Sequence, residues 1–476
     1  MKKTIIDFLV ENKNKGNISF HMPGHKGRSD IYEKTGYGEF LRDMISEDIT
    51  EIPGADALFC PKSTIRAVME NYASLYGVRH TELLVNGASA GVMAAVLAGV
   101  REGGKLILGR NSHHAAFSAL RLGGINPVYL RPLMNEKYGL QTSISPEELI
   151  VACEENPDAS AVLITSPNYY GMLSDIRRLS DIAHEFDKIL IVDQAHGAHL
   201  RLMDYEAEYR QNKLRKTAAE GLGADIVINS THKTLLSFTG TGILNICSDR
   251  VDIDSVSEKL RMLQTTSPSY LLMGSLDMNE RIMRNHGMEI MRSWKSDLSY
   301  FYKYASKIEG ATLVDSENFD PSKINISMVK LGITGEQLEK EIRYRGIIPE
   351  MVHGEYVMLM TGAGSKRSDY EELLDALESI ADGYGIGFNK DRQPHSKIDF
   401  MLGVTSIPRE KEVVPLYASE GRVLYEPIIT YPPGSPLACP GEIMSIDVIT
   451  YISNAIQRGE KVSGVDEEGQ IFVGKR

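Results

Sequence analysis

Ala224-Asp225-Ile226-Val227-Ile228-Asn229-Ser230-Thr231-His232-Lys233-Thr234 decides how this chain is read. Its first six residues form an apolar, β-branched run with the length of one buried strand. Lys233 therefore falls at a strand's C-terminal end. Upstream, Lys188-Ile189-Leu190-Ile191-Val192 reads as a second buried strand, which ends at Asp193. A carboxylate at one strand end and a Ser-x-His-Lys at the next are what a pyridoxal phosphate site needs. The lysine would form the Schiff base. The aspartate would hold the pyridine nitrogen protonated, so that the ring accepts electrons, and Ser230 and His232 would hold the phosphate.

Working outward, Thr64 to Tyr76 reads as a helix. Strand candidates follow at 82–86, 105–109, 127–131, 161–166, 188–193, 224–229 and 242–247. Helical patterns lie between most of them, at 90–101, 113–122, 146–155 and 176–186. Continuous apolar strands alternating with helices predict an α/β fold, with a mostly parallel seven-stranded sheet covered on both faces. Seven strands is a count that suits the large domain of the aminotransferase-like fold, with one edge strand open to an antiparallel placement. Beyond 250, a largely helical stretch at 268–308, a strand at 323–329, a helix at 335–345 and a strand at 356–360 predict a smaller α+β domain. Gly383 to Pro394 is a candidate linker. The expected division is an N-terminal arm with active-site loops at 1–63 and a large domain at 64–265. Connecting helices and the small domain occupy 266–390, and a C-terminal α/β segment 391–476.

The 476 residues are 42% hydrophobic and 24% charged, with a net charge of −12. That balance and the absence of basic runs argue against nucleic acid as a partner. No apolar run approaches the ~20 residues that span a bilayer, and Met1 to Val10 lacks a signal-peptide core. The four cysteines, Cys60, Cys153, Cys247 and Cys439, are scattered, so free thiols in a reducing cytoplasm are expected.

Other motifs converge on the same strand ends. Asn86-Gly87-Ala88-Ser89-Ala90-Gly91 follows a strand and opens a helix, and small residues there let a backbone cup a phosphate. In Arg110-Asn111-Ser112-His113-His114 a histidine could stack on a cofactor ring, or Asn111 or Ser112 could simply cap a helix. Asp193-Gln194-Ala195-His196-Gly197-Ala198-His199 sets a carboxylate beside two histidines, but Gly197 breaks any helical metal-binding face. His21 and His25 have i, i+4 spacing, yet Pro23 and Gly24 remove the helix that would give it meaning for a metal. No metal site is expected.

Together these motifs resemble the bacterial ornithine/lysine/arginine decarboxylases, pyridoxal phosphate enzymes of fold type I, in their shorter form without an N-terminal wing domain. The resemblance rests on His21-Met22-Pro23-Gly24-His25-Lys26-Gly27, Asp48-Ile49-Thr50-Glu51-Ile52-Pro53-Gly54, Asn86-Gly87-Ala88-Ser89, Asp193-Gln194-Ala195-His196-Gly197 and Ser230-Thr231-His232-Lys233-Thr234. It also rests on Tyr431-Pro432-Pro433-Gly434 with Pro440-Gly441-Glu442. It implies that Lys233 carries the cofactor, Asp193 pairs with the pyridine nitrogen and His113 stacks on the ring. Ser89, the Ala90 N–H, Ser230 and His232 would bind phosphate, and His196 would lie beside the cofactor. It further implies a homodimer or larger even-numbered oligomer. Cys60-Pro61-Lys62-Ser63, Gln194 and Ser435-Pro436 depart from the family's usual residues.

The expected reaction is α-decarboxylation of arginine, lysine or ornithine, with His232 or Lys233 returning a proton to Cα. A distal cation needs acidic partners, and Asp56, Glu51, Glu426 and Glu442 are the candidates. Two other readings stand beside it. One is a different activity on the same cofactor: an aldolase, an aminotransferase or a decarboxylase of a non-basic amino acid. The other is a non-catalytic relative serving as a binding protein.

Overall fold

A computed structural model describes residues 4–209, 216–384, 402–431, 436–457, 459 and 461–475. The first strand, β1 (Ile18–Phe20), belongs to the N-terminal arm. Then come β2 (His80–Leu84), β3 (Lys105–Gly109), β4 (Asn126–Leu130), the hairpin β5 (Pro132–Asn135) and β6 (Leu140–Ile144), β7 (Ala159–Thr165), β8 (Ile189–Asp193), β9 (Ile226–Asn229) and β10 (Gly242–Ile246). Seven of these form one sheet in the order β2-β10-β9-β8-β7-β3-β4.

The strands are apolar on both sides because both faces are covered. Leu106, Leu108, Ile191, Ile226 and Ile228 pack against helices Gly87–Gly99, His114–Leu122 and Ile253–Leu263. Ile107, Val162, Leu190, Val192 and Val227 pack on the opposite face against Pro146–Glu155 and Ile176–Glu185. Alternate residues thus serve two cores, each fully buried side chain contributing ~1.5–3 kcal/mol.

The neighbours β4-β3-β7-β8-β9 run parallel. The antiparallel strand is not at the edge, where the sequence left room for one. It is β10, antiparallel to both β9 and β2. The reason is the short link from β9, which holds only one helical turn, Thr231–Thr234. A parallel return needs a longer crossover, usually through a full helix.

After the 36-residue helix Tyr270–Ala305, a second sheet has the order β11 (Thr312–Leu313), β12 (Lys323–Ser327), β15 (Tyr356–Met360), β14 (Met351–His353). The intervening β13 (Ile347–Pro349) pairs in parallel with β1, Ile18 opposite Ile347. The arm is therefore hydrogen-bonded into the small domain. Helix Arg367–Tyr384 and the β5–β6 hairpin were not anticipated from the sequence.

The C-terminal region holds β16 (Lys411–Pro415), β17 (Ile428–Tyr431), β18 (Pro436–Ala438), β19 (Lys461–Ser463), β20 (Gln470–Gly474) and helix Ile446–Gln457. The linker beyond residue 384 and Pro432 to Ser435 of the Pro-Pro-Gly motif lie outside the described residues. All four cysteines are unpaired thiols. Among the described residues no helix is long and apolar enough to cross a membrane.

Candidate active site

β8 and β9 are neighbours, with Asp193 opposite Ile228, so the residues that follow them emerge side by side at the sheet's carboxyl edge. In α/β sheets this edge is where ligands bind. Ser230 follows β9 and stands at the cap position of the turn Thr231–Thr234, and its hydroxyl is not spent on capping that turn. The turn is fixed from below. Ser237 donates to the Thr231 hydroxyl at 2.7 Å, and Leu236 N donates to Asn279 at 2.9 Å. Lys233 is thereby aimed back over the strand ends.

Lys233 Nζ lies 2.9 Å from His196 Nε2. Burial lowers the lysine's pKa, Asp193 and Glu350 oppose that shift, and Lys323 adds to it. Asp193 is buried, which raises its pKa, while Lys233 and the Ala195 N–H, 3.1 Å from its Oδ1, pull it down. His196 is pushed far below a normal histidine by burial and by the charges of Lys233 and Lys323, so it is neutral. With Lys233 as donor, its proton falls on Nδ1, a buried atom with no partner. The ring of Tyr169 packs 4.6 Å from that of His196.

Behind His196 stands a second buried group. Lys323 donates to the His196 carbonyl at 2.8 Å, to Ser322 Oγ at 2.8 Å and to Asp320 Oδ2 at 3.0 Å. Asp320 Oδ1 lies 3.3 Å from His199 Nε2, and the His199 ring packs, tilted, against Trp294 with centroids 4.9 Å apart. His199 is thus part of the support and turned away from Lys233.

His113 is the N-cap of helix His114–Leu122, its Nδ1 accepting from Ala115 N at 3.2 Å. The sequence had offered Asn111 or Ser112 for that place. Its side chain keeps exposed surface at the cleft mouth, and desolvation by the surrounding atoms, then His114 and Lys233, lower its pKa and favour a neutral ring. His232 donates from Nδ1 to Thr241 O at 2.7 Å, and burial lowers its pKa. Its Nε2 can donate to an anion only when the ring gains a proton. Gly87 opens helix Gly87–Gly99 with φ +73°, which a side chain would strain, and its N–H donates to Gly240 O at 2.7 Å. Ser89 and Ala90 lie in that helix's first turn, whose N–H groups have no partners within the helix.

Three proposed substrate ligands are occupied elsewhere. Glu442 is buried and takes a bidentate pair from Arg110, Nε at 2.7 Å and Nη2 at 2.9 Å, plus the Cys439 N–H at 2.7 Å. It clamps the C-terminal region to the loop after β3. Asp56, with φ +74°, accepts from the backbone N–H groups of Lys62, Ser63 and Ile65. Burial alone would raise its pKa, but those bonds bring it down to about 2. Glu426 pairs with Arg121 at 3.3 Å and Lys411 at 3.6 Å. Glu51 is exposed and accepts from Leu58 N at 3.2 Å.

Gln194, one of the departures, also points away. Its amide bonds to Glu220 at 2.9 Å, Asn229 at 3.1 Å and Ala219 N at 2.8 Å. A glutamate there would face the Glu220 carboxylate.

The carboxylate that sequence reading missed is Glu350. It follows β13, accepts from Met22 N at 2.9 Å and Tyr169 OH at 3.3 Å, and acts electrostatically on Lys233. Its only local sign is a carboxylate directly after the apolar Ile347-Ile348-Pro349.

These residues fit pyridoxal phosphate. His196 Nδ1, Thr165 Oγ1, Ser112 Oγ and Thr234 Oγ1 are buried near these strand ends without partners. Each such atom costs ~1–3 kcal/mol, a cost that a polar ligand relieves. A lysine, a buried carboxylate and a helix N-terminus match an aldehyde, a pyridine nitrogen and a phosphate.

The fold is that of the aminotransferase-like pyridoxal phosphate enzymes of fold type I. Lysine decarboxylase LdcF from Francisella novicida superposes with a TM-score of 0.76 at 16% identity, over 98% of this chain and 80% of that one. L-threonine transaldolase from Pseudomonas fluorescens superposes with a TM-score of 0.59 at 15% identity, over 80% of this chain and 88% of that one. Residues 4–309 match the Orn/Lys/Arg decarboxylase major domain and 404–471 its C-terminal domain. Arginine decarboxylase of Bacillus subtilis (strain 168) is 30% identical over 96% of this chain and 94% of its own length. The chain belongs to the Orn/Lys/Arg decarboxylase family and is a decarboxylase. The family implies pyridoxal phosphate as its cofactor.

Proposed function

We propose that this chain removes CO₂ from the α-carbon of a basic amino acid, arginine before lysine or ornithine, with pyridoxal phosphate bound at Lys233. The observation that carries the reading is Lys233 set between buried Asp193 and neutral His196 at adjacent strand ends. The bound cofactor supplies the electron sink.

The chain's own residues do the rest. Lys233 tethers the cofactor and yields its place to the substrate amine, which its lowered pKa favours. Asp193 would pair with the pyridine nitrogen and favour its protonated form. Ser89, the Ala90 N–H, Ser230 and His232 hold the phosphate, and its negative charge favours a protonated His232. His113 and His196 are neutral rings that flank the cofactor without adding charge. Lys233 returns the proton to Cα, since His232 is held through Nδ1 on Thr241 O and would be committed by its other nitrogen to the phosphate.

Glu350 receives the distal cation. Its support is its nearness to Lys233 and the two donors that fix it. Arginine comes first because the relative from B. subtilis, matched over most of both chains, is an arginine decarboxylase. The chain works as a homodimer or larger even oligomer. Ile5, Ile6, Phe8, Leu9 and Val10 of helix Ile5–Lys15 are all exposed and supply an apolar surface for it.

The test is a product screen of the cofactor-loaded protein against arginine, lysine, ornithine and non-basic amino acids, read by mass spectrometry. Agmatine or a single diamine supports the reading. A 2-oxo acid, an aldehyde product or an amine from a non-basic amino acid contradicts it.

A further inference from the structure

The segment His21-Met22-Pro23-Gly24-His25-Lys26-Gly27 enters the chemistry above only through the Met22 N–H on Glu350, yet its backbone is bonded to the Lys233 turn. Gly24 N donates to His232 O at 2.8 Å, Gly364 N donates to Gly24 O at 3.0 Å, and Ala363 N donates to Thr234 O at 2.9 Å. The arm, the Lys233 turn and the loop after β15 are stitched together at one crossing. A Cβ on Gly362 would lie 2.7 Å from Gly24 Cα, and one on Gly364 would lie 2.7 Å from His25 O. Any side chain at these positions would force the backbones apart.

Lys26 follows this crossing directly. It holds φ +57°, a conformation that costs a non-glycine residue ~1–2 kcal/mol, and it is buried. Its ammonium donates to His21 O at 2.6 Å and to Met360 O at 2.9 Å, both main-chain oxygens. One belongs to the arm, the other to the last residue of β15. A methionine would fill similar space without the desolvation cost but would leave both carbonyls without this donor, so what the lysine supplies here is the tie between arm and β15. Within the span that Lys26 ties down, Met22 N donates to Glu350 Oε2 at 2.9 Å.

We propose that Lys26 is a positioning residue for substrate selection. By tying His21 to Met360 it fixes the Met22 N–H, and through that N–H it holds the Glu350 carboxylate on Tyr169, whose ring packs against His196 beside Lys233. The proposal rests on the reading that Glu350 receives the distal cation of the substrate.

The test is a double-mutant cycle on cofactor-loaded protein with Lys26→Met, Glu350→Gln and the double variant. The substrates are the basic amino acid turned over and its uncharged isostere (citrulline for arginine, norleucine for lysine). Lys26→Met is expected to raise KM for the basic substrate about tenfold, to change kcat by less than about threefold, and to lower the preference over the isostere to match. In the double variant Lys26→Met should add less than about twofold to the KM of Glu350→Gln. Additive effects, or a fall in kcat at constant KM, overturn the proposal.

If Glu350→Gln leaves KM unchanged, the role of Glu350 falls and the proposal with it. If Glu350→Gln raises KM and Lys26→Met does not, only Lys26 is removed. Should Lys26→Met not fold by circular dichroism, Lys26→Gln, which keeps a donor for one carbonyl, takes its place. It should give an intermediate KM, and a wild-type KM would overturn the proposal.

Discussion

Lys233 Nζ lies 2.9 Å from His196 Nε2. The contact joins two strand ends, because each residue sits a few positions beyond its strand, β9 for the lysine and β8 for the histidine. The site is thus a property of the sheet's edge, and its parts can be removed one at a time.

Lys233→Ala should remove tethering and proton return together. Turnover is expected to fall by about a thousandfold or more, with loss of the absorbance of lysine-bound cofactor and an unchanged circular dichroism spectrum. Near-normal turnover in a stopped-flow assay would move the chemistry away from Lys233.

Lys323→Met should strike the site from behind. The ammonium holds the His196 carbonyl and neutralises Asp320, which desolvation would otherwise push up and which Lys323 and His199 hold far below a normal carboxylate. Removing one partner of a buried pair costs ~3–5 kcal/mol. The urea midpoint should drop accordingly, and cofactor should leave faster on dialysis. Adding Asp320→Asn should recover part of the loss, and no recovery would mean the pair is not the source.

Glu442→Gln separates a clamp from a substrate ligand. Its two bonds to Arg110 and one to Cys439 N predict a stability loss of about 1–3 kcal/mol. KM for a basic substrate should stay within about twofold of wild type. A large rise in KM without loss of stability would restore Glu442 as a ligand.

Lys26 predicts a particular pH dependence of stability. Desolvation brings its pKa to about 7 from 10.5, opposed in part by Glu350. Between these values the unfolded chain binds a proton that the folded chain does not, so this group makes stability rise with pH across that window. Below about pH 7 the desolvation cost is fully present. Relative to wild type, Lys26→Met should therefore gain most below neutrality and lose that advantage toward pH 10. Urea titrations at pH 6, 8 and 10 read the difference, and parallel profiles would contradict it.

What was legible in the sequence follows from locality. β8 and β9 are short apolar runs because both faces are covered, and the residues that end them are fixed by chain order alone. Asp193, His196, His232 and Lys233 were placed at these strand ends that way, which is where they lie. Glu350 was not, because Met22, 328 residues away, is what holds it. The Glu442 pairing was not legible for the same reason, its partner Arg110 being 332 residues distant. The inner place of β10 depends on how a short link closes, which apolar periodicity does not report. Gln194 looked like a change at the site, but its amide is spent beneath the sheet edge on Glu220, Asn229 and Ala219.

The most direct measurement of the central claim is the reaction of cofactor-loaded protein with arginine in deuterated water, read by mass spectrometry of the product. The account predicts agmatine carrying one non-exchangeable deuterium, because the carboxylate at Cα is replaced by a proton delivered within the site. A 2-oxo acid, or arginine that gains deuterium and keeps its carboxylate, would show that the bond broken at Cα is not the one to CO₂.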